Sequence, residues 1–358
     1  MTKDREKLLN RFCAKAEETD HAKADGEQVG ILGLIGEVGE LVTILKKKER
    51  QDVEFDQMNS TASEELGDCF WYVAKICREY GIGMGDLLSN KSLDARKAAG
   101  SSGKEISECL TISEQIGVLL RHKGDSKIRQ DALAEICLSL CYLSEMENRS
   151  LCGVLKENLD KTEARYGDTN SPSPLSDCDM GFPCWQQLPE TLEIRFEKTT
   201  GGRVAIIIDN RRYGDLLTDN SNCDDGFKFH DVFHFGFCAI LSWSPVTRSL
   251  LKAKRKDCPH KDEVEDGARA IIIEEGIVHL AFKYGLSHCF SFEKDQRIDT
   301  SLLKTISFMV RGYEVEAVEM KLWEKAIKDS CCVLKELIDK GEGTIRTCRR
   351  TKTIKFIA

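Results

Sequence analysis

The chain has no CxxC cysteine pair and no surplus of positive charge. It has no apolar run approaching the length of a membrane span, and proline is sparse. With 52 Lys and Arg against 60 Asp and Glu, the formal net charge is −8. That balance argues against general nucleic-acid or membrane-surface binding, although local basic stretches survive within it. The opening MTKDREKLLNRF lacks a signal-peptide core, so a cytoplasmic setting is expected. Sixteen cysteines are many, but they are scattered through the chain. Cys69, Cys137, Cys141 and Cys238 fall in apolar helical stretches, where free cysteine behaves as a small buried hydrophobe. A secreted disulfide framework would be shorter and richer in loops. At 358 residues the chain suggests two or three domains.

What is present is concentrated near the N-terminus. Glu37 and Glu40 lie in ILGLIGEVGELV, and Glu65 and Asp68 in ASEELGDCFWYVAKI. Each pair is spaced i, i+3 within an apolar pattern of helical period, so each projects from one helical face. Leu34, Ile35, Val38, Leu41 and Ile44 surround the first pair; Leu66, Phe70, Trp71, Val73 and Ile76 surround the second. The acids therefore interrupt the apolar stripe instead of lying opposite it. A solvated acidic face balanced by Lys46 to Lys48 is the plainer alternative. Four carboxylates at a helix-bundle seam would repel and resist desolvation unless a cation neutralises them. A hard, oxygen-binding divalent ion is the natural partner.

The quartet, set in LxGExGELxxxLKK and EELGDxxxYVxK, resembles the signature of the MazG-like all-α nucleoside-triphosphate pyrophosphohydrolases. Tyr72 stands one turn beyond Asp68, where that family usually carries an aromatic. Gly36, Gly39 and Gly67 are expected to let helices approach closely around the metal cluster. The resemblance implies Mg2+, with Mn2+ as an alternative, held by Glu37, Glu40, Glu65 and Asp68. It also implies a nucleoside triphosphate substrate cleaved by water attack at the α-phosphorus to the monophosphate and pyrophosphate. Related helical modules self-associate, so a homodimer is expected.

The pattern recurs in weakened form. Gly36 to Leu41 lies over Glu114 to Leu119, and Glu65 to Asp68 with Tyr72 over Glu135 to Leu138 with Tyr142. This suggests two related helical units, residues 1–97 and 105–167, in one pseudo-symmetric bundle. Gln115, Val118 and Leu138 replace three of the four acids in the second copy. The tail of that copy, KENLDKTEARY, resembles the Asn/Lys/Arg helix that ends MazG-like modules, whereas residues 90–97 match it less well. A division of labour follows: acids from the first copy, with Lys161 and Arg165 of the second as clamps for the pyrophosphate and Tyr72 against sugar or phosphate. The alternative is that the two cations merely decorate a helix surface.

Residues 168–190 hold most of the six prolines and read as a linker. Beyond them the pattern changes. Residues 192–199 and 203–209 look like strands joined by a Thr-Gly-Gly turn. Helical patterns follow near 230–255, 263–285, 300–312 and 318–340, and GTIRTCRRTKTIKFIA closes the chain as a strand or hairpin. Residues 191–358 thus read as an α+β domain. The string HDVFH…WSPVTR…EVEDGARA…EEG resembles the domain that follows MazG modules in some bacterial proteins, for which no activity carries over.

That domain holds a second group of polar residues: His230, Asp231, His234, Arg248, Asp266, Arg269, Glu274 and Glu275. Two histidines at i, i+4 with carboxylates nearby are suited to Zn2+ or a transition metal. They are equally suited to a buried lock, hydrogen-bonded to Asp266 or Glu274. The basic stripe from Lys252 to Lys256 reads as a solvated helix face or, beside Arg248, as a phosphate grip. Trp243 and Trp323 read as core. The functional expectation is a Mg2+-dependent pyrophosphohydrolase. The alternative is a nucleotide-sensing or defence-type regulatory protein whose C-terminal domain binds a partner or second ligand.

Overall fold

A computed structural model describes residues 3–20, 26–50, 62–88, 105–122, 124–170, 172–293 and 296–357. The chain divides into two compact units, Met1–Tyr166 and Gly167–Ala358.

The described residues of the first unit are helical. They form α1 (Lys3–Glu18), α2 (Gly26–Arg50), α3 (Ala62–Tyr80), a single turn α4 (Met84–Leu87), α5 (Glu105–Arg121), α6 (Ser126–Met146) and α7 (Leu151–Tyr166). The sequence pattern also predicts a helix over 84–97 and a flexible joint at 98–104; only the first turn of that helix is described, and residues 89–104 lie outside the described residues. Helix α2 packs on α3 and α5 on α6; α3 also meets α6, and α2 meets α5. Two helical hairpins therefore lie side by side around one apolar core that includes Leu34, Leu66, Phe70, Ile112, Leu133 and Ile136. Helix α6 is started by Asp125, whose carboxylate accepts the N–H groups of Lys127 and Ile128. Helix α7 lies against α3 and α1.

Two expectations about α2 need correction. Gly36 and Gly39 are exposed, and none of the described residues lies within 4 Å of where a Cβ would sit. The close approaches belong to Gly33, where a Cβ would strike the Tyr72 ring, and to Gly67, where it would strike Asn158. Moreover, Gln28–Lys47 is long and apolar enough to cross a membrane by length and composition, with a mean hydropathy of 1.6. The sequence pattern hid this because Glu37 and Glu40 interrupt the apolar run. Here α2 is a bundle helix that turns Leu34, Val38 and Leu41 inward and leaves Leu32, Ile35 and Val42 outward.

The second unit centres on a five-stranded antiparallel sheet of order β3-β2-β1-β4-β5. Its strands are β1 (Thr191–Lys198), β2 (Val204–Ile208), β3 (Arg211–Leu217), β4 (Gly343–Cys348) and β5 (Thr353–Phe356). The expected β1–β2 and β4–β5 hairpins form, and β1 joins them by pairing Ile194 with Ile345. Strand β3 was not expected from the sequence: Arg-Arg-Tyr-Gly-Asp is polar, and the strand sits at the sheet edge with little to bury.

Helices α8 (Asp231–Leu241), α9 (Pro245–Leu251), α10 (Ala268–Ser287), α11 (Thr300–Met309) and α12 (Met320–Lys340) complete the unit. Every residue of α8 is buried, and α8 and α12 both lie against β4 and β5. The helical pattern over 230–255 breaks at Ser244-Pro245: Ser244 caps α9 by accepting the Thr247 N–H, with Pro245 at its first position. Trp243 and Trp323 are core residues, their rings 6.0 Å apart.

The proline-rich segment expected as a linker belongs to this unit. Its Ser173, Leu175, Asp179, Gln186 and Leu188 are buried, and Leu175 joins the unit's core. Proline suppresses regular hydrogen bonding, which the pattern registered; it does not prevent burial. All sixteen cysteines are free thiols, and Cys69, Cys137, Cys141 and Cys238 are buried as expected.

Candidate functional site

Three of the four acids converge. One carboxylate oxygen from each of Glu37, Glu65 and Asp68 lies within 4.8 Å of the others. Helix α2 supplies the first and α3 the other two, and the apolar residues around them hold these helices together. Glu65 is only 2 % exposed, so little water is available to disperse its charge. Burial, a hydrogen bond with Glu65 and the charges of Asp68, Glu65 and Glu40 push the Glu37 carboxyl up to about 8. At neutral pH and without a cation, Glu37 thus holds a proton that it shares with Glu65. Glu40 is exposed one turn along α2 and stands outside the three.

Helix α7 brings the polar partners. Asn158 Nδ2 donates to Asp68 Oδ1 at 2.7 Å. Lys161 bonds the other Asp68 oxygen and reaches Glu64 at 2.9 Å. Burial alone would lower the Lys161 ammonium; Asp68 and Glu64 outweigh it and hold the ammonium charged. Glu64 was not singled out in the sequence, and Asn158 entered only as the asparagine of the Asn/Lys/Arg helix. The signal was the i, i+3 spacing of Asn158 and Lys161, which puts both on the face of α7 that meets α3.

Arg165 is buried, its guanidinium 5.3 Å from the Tyr166 ring centre. Tyr72 is half-buried against Gly33, and burial plus the Glu37 and Asp68 charges raise its phenol. The second copy offers no counterpart, since Glu114 and Glu135 are both exposed.

A further ionic group lies two turns along α3 from Asp68. Lys75 and Arg78 of α3 both bond Asp20, and Lys75 is nearly inaccessible. Trp71 Nε1 donates to the Thr19 hydroxyl at 3.2 Å beside it. The signal for Lys75 was its place inside an apolar stripe.

In the second unit the expected polar cluster separates into two networks. The first is built on Glu274. Its carboxylate accepts His234 Nδ1–H at 2.8 Å, the Ser244 hydroxyl at 2.6 Å and the Val246 N–H at 2.7 Å. Burial works against the His234 imidazolium, but Glu274, Glu275 and Asp231 lift it to about 10. Serine and histidine both bond the carboxylate and not each other, so this is no nucleophile–base–acid relay.

Asp266 belongs to the other network, a correction to the expected single site. It binds Arg255, which also pairs with Glu314; Arg248 pairs with Asp179. Arg255 is 0 % exposed, so the stripe read as solvated or phosphate-gripping has its central residue inside. Helical spacing misled because the chain leaves the helix at Lys252, whose left-handed backbone (φ 59°) turns Arg255 inward. Arg269 is exposed and outside both networks.

Compared with known proteins, residues 173–358 match the family model described as the MazG C-terminal domain, which spans more than half of the chain. No curated protein and no solved structure matches.

Proposed function

From the premise that the chain belongs to the MazG C-terminal domain family, we propose that it is a Mg2+-dependent nucleoside-triphosphate pyrophosphohydrolase. In this reading the first unit is a tandem MazG-like bundle with a degenerate second copy. The observation that carries it is the convergence of Glu37, Glu65 and Asp68 within 4.8 Å, with Glu37 obliged to keep a proton. The donors are all carboxylate oxygens, a set suited to Mg2+ or Mn2+ and not to a thiolate-seeking metal.

Glu37, Glu65 and Asp68 would hold the ion, with Glu40 one turn away as a further ligand. Once bound, Mg2+ supplies charge neutralisation for the triphosphate and acidifies water for attack at the α-phosphorus. Glu40, exposed beside the cluster, is the carboxylate best able to accept that water's proton. Asn158 and Lys161 orient Asp68 from both of its oxygens. Lys161 is also the nearest cation for a departing pyrophosphate, exchanging a carboxylate partner for phosphate oxygen. Tyr72 contacts sugar or phosphate from the α2–α3 seam. Arg165, buried at the end of α7, is the second candidate clamp for the pyrophosphate. The outward apolar residues Leu32, Ile35 and Val42 of α2, with Ile106 and Leu110 of α5, support a homodimer that completes the bundle.

The direct test is incubation of the full chain with each NTP and dNTP plus Mg2+, reading pyrophosphate and the monophosphate. At least one triphosphate should be cleaved, and Asp68→Asn should abolish the release. No turnover of any of them would overturn the reading. A nucleotide-sensing or defence-type regulatory protein is the second reading, favoured by a family match confined to the second unit. Saturable nucleotide binding without pyrophosphate release selects it.

A further inference from the structure

We propose that His230, Asp231 and His234 form a binding site for one divalent transition-metal ion of the Zn2+ class, closed from α10 by Glu275. One ligand atom from each of the first three lies within 4.8 Å of the others. The site is distinct from the acidic cluster, which lies in the other unit.

In each ring Nδ1 is held by an acceptor, and a metal would take the place of the Nε2 proton that His234 carries beside Glu274 and Glu275. His230 Nδ1 lies 2.8 Å from the Phe227 carbonyl oxygen, which can only accept, so that nitrogen carries the hydrogen. His234 Nδ1 faces Glu274, a carboxylate already taking donors from Ser244 and the Val246 backbone. In both rings Nε2 is therefore the nitrogen left for a ligand. A backbone carbonyl behind one imidazole and a carboxylate behind the other is the arrangement that orients metal-bound histidines and strengthens them as donors. Stacking of His230 on Phe227, 4.2 Å between ring centres, fixes the first ring further.

Two atoms aimed into this space have no hydrogen-bond partner among the described residues: His234 Nε2 and Asp231 Oδ2. His234 is 1 % and Asp231 8 % exposed, so bulk water does not serve them freely. The nearest opposite groups stand off: Glu275 Oε2 is 3.6 Å from His234 Nε2, and Asp231 Oδ2 is 4.0 Å from His230 Nε2. These separations are too long for hydrogen bonds. A central cation would engage all four side chains at once. Asp231, Glu274 and Glu275 give the site acidic character, while Arg248 and Arg255 of the same unit are committed to other carboxylates. Mixed imidazole and carboxylate donors select Zn2+, Co2+ or a similar ion over Mg2+.

The probe is Co2+ titrated into the full chain in excess Mg2+, with Glu65→Gln as a parallel background. One equivalent should bind in both, with the visible absorption of a nitrogen-ligated, low-symmetry site. Asp231→Asn, which keeps the side chain's shape, and His230→Gln should each weaken binding by about tenfold or more. X-ray absorption of the Co2+-loaded unmutated chain needs no variant and should show two imidazoles with oxygen ligands. Absence of saturable uptake, unchanged affinity in both variants, thiolate charge-transfer bands, or an oxygen-only shell would each overturn the site.

Discussion

Gly67 of α3 and Asn158 of α7 meet so closely that a Cβ on the glycine would lie 2.8 Å from the asparagine Cβ. That approach sets Asn158 Nδ2 at 2.7 Å from Asp68, and Lys161 on the next turn follows it onto the same carboxylate. Gly67→Ala should therefore push α7 outward. The overpacking cost of about 1–3 kcal/mol exceeds or cancels the gain of about 1 kcal/mol in helix propensity. Gly36→Ala, with open space around it, should gain that propensity without the cost. Urea unfolding of both variants checks the contrast: equal stabilisation by the two changes would mean the helices are not in contact at Gly67.

The raised Glu37 carboxyl makes metal-free stability fall with pH. In the folded chain Glu37 keeps its proton to about 8, whereas unfolded it loses it near the ordinary glutamate value of about 4.3. The folded state thus binds more protons between these values. The contribution is whole below the unfolded value and is lost progressively as pH rises through the folded one. Thermal melts in chelator from pH 5 to pH 8.5 should show the decline, and Glu37→Gln should lessen it, leaving the part that raised His234 contributes above about pH 6.5. A rising Tm over the same window in the unmutated chain contradicts the cluster.

Mg2+ or Mn2+ should reverse that loss. A ligand bound only by the native state stabilises it by mass action, about 2.7 kcal/mol when its concentration is a hundredfold above Kd. The Tm of the unmutated chain should rise with metal, that of Glu40→Gln by a similar or smaller amount. Glu65→Gln combined with Asp68→Asn should not respond. A metal-induced shift of full size in the double variant would locate the Mg2+ site elsewhere.

Arg255 is expected to be structural. Removing one partner of a buried ion pair leaves an uncompensated charge and typically costs about 3–5 kcal/mol. Arg255→Ala should lower stability toward that scale, because Asp266 and Glu314 lose the guanidinium they share and keep only Arg248 and Lys261. Exposed Lys256 changed to Ala should have little effect. Denaturant midpoints read the difference, and a neutral Arg255→Ala would return this residue to the solvated stripe suggested by its spacing.

The sequence by itself determined the helical first half, the mixed second half and the three acids that meet, because these rest on local periodicity. An i, i+3 pair such as Glu65 and Asp68 must share a helical face once the helix forms. The free, buried state of Cys137 and Cys238 was equally legible from their apolar neighbours. Tertiary structure decided the rest. Which glycine serves as a contact depends on the facing helix, so Gly67 meets Asn158 while Gly36 faces open space. Glu40 has the same spacing logic as Glu65, yet one turn of α2 carries it to the surface. Asp266 left the histidines because the chain reverses at Lys252 and brings Arg255 to it across eleven residues. Electrostatic partners of this kind are chosen by distance in space in a medium of low polarity. Spacing along the chain records only the neighbours a helix or strand supplies.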